Sequence, residues 1–408
     1  MYYFQFCKDE ALKNYCIMIK KNIVSYISIL FLFSSPLLAQ IKSNNFQFID
    51  THNDILSNQI ITGIDLSKEQ NGVNFDLLKA KRGHLAGQMF SIWCDEVYGP
   101  GTAFGMATRE IDSLMALIHR NPNKITLVRN SRQLESAIHS GKLAAMIGVE
   151  GGHMIENRMD LLDSLYRRGM KYMTLTWNNS TPWATSARDE TTKKDSLPFK
   201  GLTENGRQIV KWMNAHNILV DISHTGEKTF YDVLATTAKP VIASHSCSYT
   251  LNPNRRNLKD DQLRALAKNG GVVFLNFFSG FLDSTYQSRE KVFIDAHKDE
   301  IIELTKLTRD KDLAIIKLFH IHQKETDLFR PPLKILINHI DYIVKLIGVD
   351  HVGIGSDFDG AESFPMQLDD VSNYPLIVTE LQKLHYADSD IKKICSGNFI
   401  RVMKANEK

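Results

Sequence analysis

Five short clusters carry the side chains in this sequence that could do chemistry. They are Asp50-Thr51-His52-Asn53-Asp54, Glu150-Gly151-Gly152-His153, Asp221-Ile222-Ser223-His224, Ser244-His245-Ser246 and Ser356-Asp357-Phe358-Asp359-Gly360. Taken one at a time, each has a bland explanation. His52 and Asp54 sit two apart, on one side of an extended chain, but such a pair also caps turns. Glu150 could be a loop residue ahead of two glycines. His224 or His245 could be a hydrogen-bonded core histidine, and Asp357 and Asp359 could be turn formers beside Gly360. Taken together, the His52/Asp54 pair, Glu150, His224 and His245 supply five ligands of borderline hardness, suited to Zn²⁺ or a similar divalent ion. Five exceed one tetrahedral site with an open position. They suit two ions sharing a bridging carboxylate, an arrangement that makes a bridging water nucleophilic. The chemistry expected from spacing alone is metal-assisted hydrolysis.

These clusters need a scaffold that brings distant strand ends together. Past residue 45 the chain alternates short apolar runs with longer helix-prone segments. The runs are Phe46–Ile55, Leu85–Cys94, Leu143–Gly152, Tyr172–Trp177, Ile218–His224, Pro240–Ser246, Gly271–Phe278 and His351–Gly360. Near-continuous apolar runs read as parallel strands buried on both faces. Segments such as Met106–Ile118, Leu161–Arg168, Gly206–His216 and Asp260–Lys268 are long enough for right-handed crossovers. Eight such units predict a (β/α)₈ TIM-type barrel, whose active site lies at the C-terminal ends of its strands. The clusters fall at the ends of runs one, three, five, six and eight. The spacing predicts a helical insertion between strands seven and eight, a lid over residues 279–335, because the gap there is about twice what one crossover needs. Of 408 residues, 43% are hydrophobic and 23% charged, and the net charge is +3. That composition excludes a disordered chain, and the charge is too balanced for a protein built to grip nucleic acid. Five cysteines without CxxC spacing imply neither a thiolate zinc site nor a disulfide framework.

The same stretches, with Gly87-Gln88-Met89-Phe90, Arg168-Gly169-Met170-Lys171-Tyr172-Met173-Thr174-Leu175-Thr176, Arg255-Arg256-Asn257-Leu258 and Gly397-Asn398-Phe399-Ile400-Arg401-Val402, run in one order from residue 46 to 402. In that order the sequence resembles the membrane dipeptidase (renal dipeptidase) family of zinc peptidases, within the amidohydrolase-type barrels. The resemblance implies that His52 and Asp54 are terminal ligands of one zinc, and His224 and His245 those of the other. It implies that Glu150 bridges both ions, that Asp357 is the acid/base group, and that Arg256 grips the α-carboxylate of a dipeptide substrate. His153 is expected to play a structural part. Where the mammalian members have a carbonyl-polarising histidine, this sequence has Trp177, which can donate one N–H and never becomes cationic. Trp177 is therefore expected at the substrate without that role. Cys94 falls near a family cysteine whose partner is missing from Trp177–Thr181, so no equivalent disulfide is expected. No hydrophobic tail follows Val402, so the lipid anchor of the mammalian members is not expected either.

Lys20-Lys21, the apolar stretch Ile23–Phe33 and a small residue at Ala39 follow the order of a secretory signal. Residues 1–39 are expected to be removed, with Met18 as an alternative start, leaving 40–408 as one exported catalytic domain, periplasmic or extracellular. An uncleaved membrane anchor is the alternative. The expected activity is cleavage of a dipeptide's peptide bond by a hydroxide bridging two divalent ions, with zinc the expected metal. A homodimer is open, and no nucleic-acid partner is expected. Two rivals remain at this stage: another metallohydrolase on the same barrel, acting on an N-acyl amino acid, a lactam or a phosphoester, and an inactive barrel that binds peptides.

Overall fold

The computed structural model describes residues 46–308 and 311–408. The leader expected at 1–39 lies outside the described residues. Among the described residues nine parallel strands form: β1 (Phe48–Asp50), β2 (Leu85–Ile92), β3 (Ile125–Leu127), β4 (Leu143–Glu150), β5 (Met170–Thr174), β6 (Leu219–Asp221), β7 (Ile242–Ser246), β8 (Val272–Leu275) and β9 (Val352–Ile354). Eight of them close a ring in the order β1, β2, β4, β5, β6, β7, β8, β9, and β9 returns to β1 through Ile354 and Asp50. Helices surround it, so the fold is a (β/α)₈ barrel. The ninth strand, β3, is absent from the sequence reading. It pairs with Leu143–Ala145 at the start of β4, while β5 takes Ile147–Glu150. Three residues were too few to stand out as an apolar run, and they add an edge at the end of β4 remote from Glu150.

Several strands are shorter than their apolar runs. The run Phe46–Ile55 yields only Phe48–Asp50, because beyond Asp50 side-chain acceptors interrupt the backbone bonds that still reach the β2 and β9 ends from Thr51, Asn53 and Asp54. The Asp50 carboxylate accepts bonds from the backbone N–H groups of His52 (3.2 Å) and Ser356 (2.9 Å). Asp221 does the same for Ser223 (3.1 Å) and Ser244 (2.8 Å). At these ends the backbone is free to turn toward the barrel axis.

Strand alternation separates two cores. Ile49, Met89, Met146, Tyr172, Leu219, Ile242, Val272 and Phe274 form one cluster with Phe399, Val402 and Met403 of the helix Asn398–Asn406. The intervening residues, such as Phe90, Ile147, Met173, Val220 and Val273, pack against the surrounding helices. Gly148 is required by this interior. A Cβ there would stand 2.1 Å from the Tyr172 ring, so only glycine lets Tyr172 lie across β4.

Between β8 and β9 the chain forms the helices Ser279–Leu282, Tyr286–Ala296, Lys298–Thr308, Lys311–Ile321 and Gln323–Thr326, before the crossover helix Lys334–Ile347. The inserted helices hold a small core of their own, built from Tyr286, Phe293, Ile301, Leu318 and Phe319. They face the loop after β9 across a cavity, where Glu290 of the insertion and Glu362 of the loop form a carboxyl pair. The Tyr286 hydroxyl donates to Glu362 Oε1 at 3.3 Å. Burial pushes Glu362 well above the usual carboxylate range and the neighbouring Glu290 pushes it further; burial also raises Glu290.

An acid whose folded pKa is raised keeps a proton that the unfolded chain has released, so stability falls as pH rises from the unfolded value of about 4.3 toward the folded one. Glu362→Gln keeps an acceptor for Tyr286 and removes the titration. The variant should melt at a higher temperature than the parent at pH 7–8, and the gap should close toward pH 4. Circular dichroism melts across that range test this, and parallel pH profiles for both proteins would contradict it.

Candidate metal centre

The C-terminal ends of the barrel strands converge on Glu150, the last residue of β4. Its two oxygens face different partners. Oε2 lies 3.4 Å from His52 Nε2, whereas Oε1 lies 2.9 Å from His224 Nε2 and 3.4 Å from His245 Nε2. His52 Nε2 is also 3.4 Å from Asp54 Oδ2 and 3.8 Å from Asp357 Oδ1. Glu150, His52, Asp54, His224 and His245 are all buried. The five residues expected as ligands from the sequence thus come from four separate strand ends to one place. Asp357 joins them from the turn after β9.

Local backbone geometry aims these groups. His224 (φ 62°), Asp357 (φ 64°) and Asp359 (φ 64°) occupy the left-handed region that disfavours side-chain-bearing residues, a strain typical of functional sites. Close approach at the turn after β9 needs glycine. A Cβ on Gly360 would sit 2.1 Å from Asp54 Oδ2 and 2.8 Å from Asp357 Oδ1.

A surrounding layer orients the imidazoles. Ser244 Oγ donates to Asp221 Oδ2 (2.6 Å), so it can only accept from His245 Nδ1 (2.8 Å). That bond leaves His245 Nε2 with its lone pair toward Glu150. His52 Nδ1 is hydrogen-bonded to the Tyr172 hydroxyl (2.8 Å), which likewise turns Nε2 inward. His224 Nδ1 is buried without a hydrogen-bond partner. Asp50 accepts from Ser356 Oγ (2.7 Å) and from the Tyr374 hydroxyl (2.6 Å), tying β1 to the β9 turn. Asn276 Nδ2 donates to Asp357 Oδ2 (2.7 Å), leaving Oδ1 toward the cluster. The sequence reading assigned no such roles to Tyr172, Asp221, Ser244, Asn276 or Tyr374. Asp221 and Ser244 both stand in clusters beside a candidate ligand, but no local pattern singles out Tyr172, Asn276 or Tyr374.

The electrostatics are those of a cage that wants positive charge. Burial opposes ionisation of Glu150, but His52, His224 and His245 outweigh it and hold the carboxyl well below its usual range. Burial likewise disfavours the His52 cation, yet Tyr172, Asp54 and Glu150 raise its pKa well above normal. Burial drives His224 down to about 3 and His245 well below the usual histidine value, so both are neutral, as metal-ligating imidazoles must be. Asp357 is pushed up to about 7, first by burial and then by the charges of Asp54 and Glu150. His52 Nε2 and Asp54 Oδ1 are buried without a hydrogen bond. Ligand atoms of His52, Glu150 and His245 lie within 4.8 Å of one another, as do those of His52, Asp54 and Asp357. The donor set therefore fits divalent cations.

A cavity of about 360 Å³ opens over the cluster, bounded by Trp93, Trp177, Arg256, Phe281, Glu290 and Glu362 among others. Arg256 is buried, and its Nη2 donates to the His245 carbonyl (3.3 Å) while Nε has no partner. Its Cζ lies 5.3 Å from the centre of the Phe281 ring. Asp260, four residues along the chain from Arg256, accepts from Thr250 and Tyr342. Trp177 stands edge-on to Trp93, with ring centres 5.1 Å apart. His153 hydrogen-bonds the Cys94 carbonyl through Nε2 (2.9 Å), away from the ligand set. Cys94 is a free, buried thiol.

Residues 39–408 match the family model of the membrane dipeptidases, peptidase family M19. An uncharacterized dipeptidase of Schizosaccharomyces pombe is 31% identical over 379 residues, covering 88% of this chain and 80% of the relative. By fold, a metallopeptidase from Rhodobacter sphaeroides, solved with a phosphinate mimic of the dipeptide L-Ala-D-Ala, superposes with a TM-score of 0.71 at 22% identity, covering 88% of this chain and 99% of that one. A probable dipeptidase from Pseudomonas aeruginosa gives a TM-score of 0.72 at 22% identity, covering 91% and 98%. The chain belongs to the membrane dipeptidase family, peptidase family M19, and is a metallo-dipeptidase of that family.

Proposed function

We propose that the protein is an exported dipeptidase that uses two divalent ions, zinc being the expected metal, to hydrolyse the peptide bond of free dipeptides. The observation that carries this reading is the division of the Glu150 carboxylate, one oxygen toward His52 and the other toward His224 and His245. On this reading His52 and Asp54 would hold one ion and His224 and His245 the other, with Glu150 available to both. When bound, such ions supply Lewis acidity and a water acidic enough to be deprotonated near neutral pH.

The remaining work belongs to the chain. Arg256, lowered by burial only to about 10, stays cationic at neutral pH and presents a planar donor pair suited to the substrate's α-carboxylate. Asp357 Oδ1 takes the proton of the attacking water and returns it to the leaving amine as the C–N bond breaks. Asn276, by holding Oδ2, keeps Oδ1 turned to the reacting atoms. Nearby cations would lower the Asp357 pKa below the value set by burial and favour the ionised base. Trp93 and Trp177 wall the cavity with aromatic surface, so Trp177 contacts the substrate by packing, without the charge a histidine would bring. The inserted helices act as a lid that excludes water, since Glu290 and Ile316 line the same cavity. Export is supported by the hydrophobic stretch Ile23–Phe33, which precedes the segment matching the family. No helix among the described residues is long and apolar enough to cross a membrane.

Binding and chemistry separate by mutation. Arg256→Met should raise KM for free dipeptides and lower kcat/KM by a factor on the order of 10² or more, the consequence of losing roughly 2–5 kcal/mol of charge pairing. C-terminally amidated dipeptides should be much less affected. Asp357→Asn should instead lower kcat by about 10²–10⁴ with KM little changed. A well-folded Asp357→Asn protein with parental kcat refutes the assignment. Glu150→Gln should lower the occupancy of both ions and His224→Ala mainly that of one, read by elemental analysis of zinc-equilibrated protein. Unchanged metal content in both variants would dispose of the two-ion cage. The protein recovered from its native compartment should begin at Gln40 or Ile41 by N-terminal sequencing; a chain still carrying Ile23–Phe33 would instead mean a membrane anchor.

A further inference from the structure

The inserted helices bring together a second set of metal-ligating side chains, remote in sequence from the barrel clusters. His297 ends the helix Tyr286–Ala296, and His322 begins the helix Gln323–Thr326. Their ring centres are 4.4 Å apart, and Phe293 of the insertion's core packs against both, at 4.3 Å and 5.8 Å. Glu325 follows His322 by three residues, the spacing that puts two side chains on one face of a helical turn. One ligand atom from each of His297, His322 and Glu325 lies within 4.8 Å of the others.

Hydrogen bonding fixes which nitrogens remain available. The Phe293 carbonyl can only accept, so His297 Nδ1, 2.9 Å away, carries the hydrogen and Nε2 keeps its lone pair. His322 Nε2 lies 2.9 Å from Glu300 Oε2, a carboxylate that likewise accepts, so the neutral ring presents Nδ1 as its lone pair. A ring N–H held by a backbone carbonyl and another held by a carboxylate are both arrangements that orient metal-ligating histidines. Two partly buried imidazoles with one carboxylate make a nitrogen-rich set suited to Zn²⁺ or a similar borderline ion rather than to Ca²⁺ or Mg²⁺.

The geometry points to a structural Zn²⁺ site in the insertion, with His297, His322 and Glu325 as ligands and Glu300 orienting His322. Ligands about 2.0–2.1 Å from a tetrahedral ion stand about 3.4 Å apart, so the site closes by a modest approach of the donors. Glu325 is exposed and can swing toward the rings. The ion would clamp two helix ends that enclose the segment between residues 297 and 322. Its binding free energy would then stabilise the insertion's fold. The helix that ends at His297 also carries Tyr286 and Glu290, the residues that meet Glu362 at the cavity.

The test uses the full chain and Zn²⁺ alone. Wild type, His297→Ala and Glu325→Gln are stripped with chelator, equilibrated with micromolar Zn²⁺, separated from free ion and analysed for zinc. Each variant should hold one ion fewer per chain than wild type, whatever number the barrel holds, because the barrel ligands are identical in all three. Zn²⁺ should also slow proteolytic cleavage within residues 298–326 of wild type and leave the variants' cleavage unchanged. If His297→Ala does not fold, Glu325→Gln decides, since its side chain is exposed. Equal zinc content and equal zinc protection in wild type and Glu325→Gln would overturn the site and leave His322 and Glu300 as an ordinary hydrogen-bonded pair. Failure of the two-ion reading in the barrel would appear separately, in the zinc content common to all three proteins.

Discussion

A carboxylate only 4% exposed, with three imidazoles around it, is the interaction on which the mouth of this barrel depends. A buried, unpaired charge is costly, so Glu150 is tolerable only if positive charge or hydrogen-bond donors meet both of its oxygens. The barrel supplies them from opposite sides. β1 brings His52 to one oxygen, and the ends of β6 and β7 bring His224 and His245 to the other. Removing one partner while keeping the charge is the expensive change in such a cluster. A metallopeptidase family and a cage of this electrostatic character are mutually consistent: the protein groups alone raise one imidazole and depress one carboxyl, each shift favouring positive charge at the centre.

Two other buried carboxylates make that convergence mechanically possible. Asp50 and Asp221 each gather backbone and side-chain donors from a neighbouring strand end, Ser356 for the first and Ser244 for the second. They substitute for ladder bonds where the strands stop, so the chain can turn inward without leaving backbone groups unpaired. The turned residues accept backbone strain in return, as His224 and Asp357 do in the left-handed region. Such strain persists only where surrounding contacts over-determine the conformation. Here the determinants are Glu150 at 2.9 Å for His224 and Asn276 at 2.7 Å for Asp357.

The insertion follows a different logic. It has its own apolar centre, which includes the buried Tyr286, and meets the rest of the barrel mouth through the Tyr286 hydroxyl and the partly buried carboxyls Glu290 and Glu362. Neighbouring carboxyls raised by burial hold two segments together less firmly as pH rises and they ionise, whereas the barrel interior is closed by Tyr172, Phe274 and Phe399, which do not titrate near neutrality. The cavity between these regions combines one buried cation, Arg256, with aromatic walls at Trp93 and Trp177. Trp177 stands where the resemblance led one to expect a histidine, so this wall contributes surface rather than charge.

The meeting of His52, Asp54, Glu150, His224 and His245 was legible in the sequence because each lies at the end of an apolar run, and parallel barrel strands present all their C-terminal ends on one side. The barrel itself was legible for the same reason: eight runs buried on both faces leave little polar patterning to confuse. The strand β3 was not, since three residues carry too little periodicity. Nor were the partners that orient these side chains. Tyr172 is an apolar-run residue until Gly148 makes room for its ring, and Asn276 is one polar residue among many until the β8 end approaches the β9 turn. The order of residue types along the chain determined the fold class and which side chains could meet. Which oxygen of Glu150 faces which imidazole, and which nitrogen of each imidazole keeps its lone pair, depends on hydrogen bonds between residues about 20 to over 300 positions apart, such as Ser244 with Asp221 and Ser356 with Asp50. Those bonds exist only once the ring has closed, so only the tertiary structure decided them.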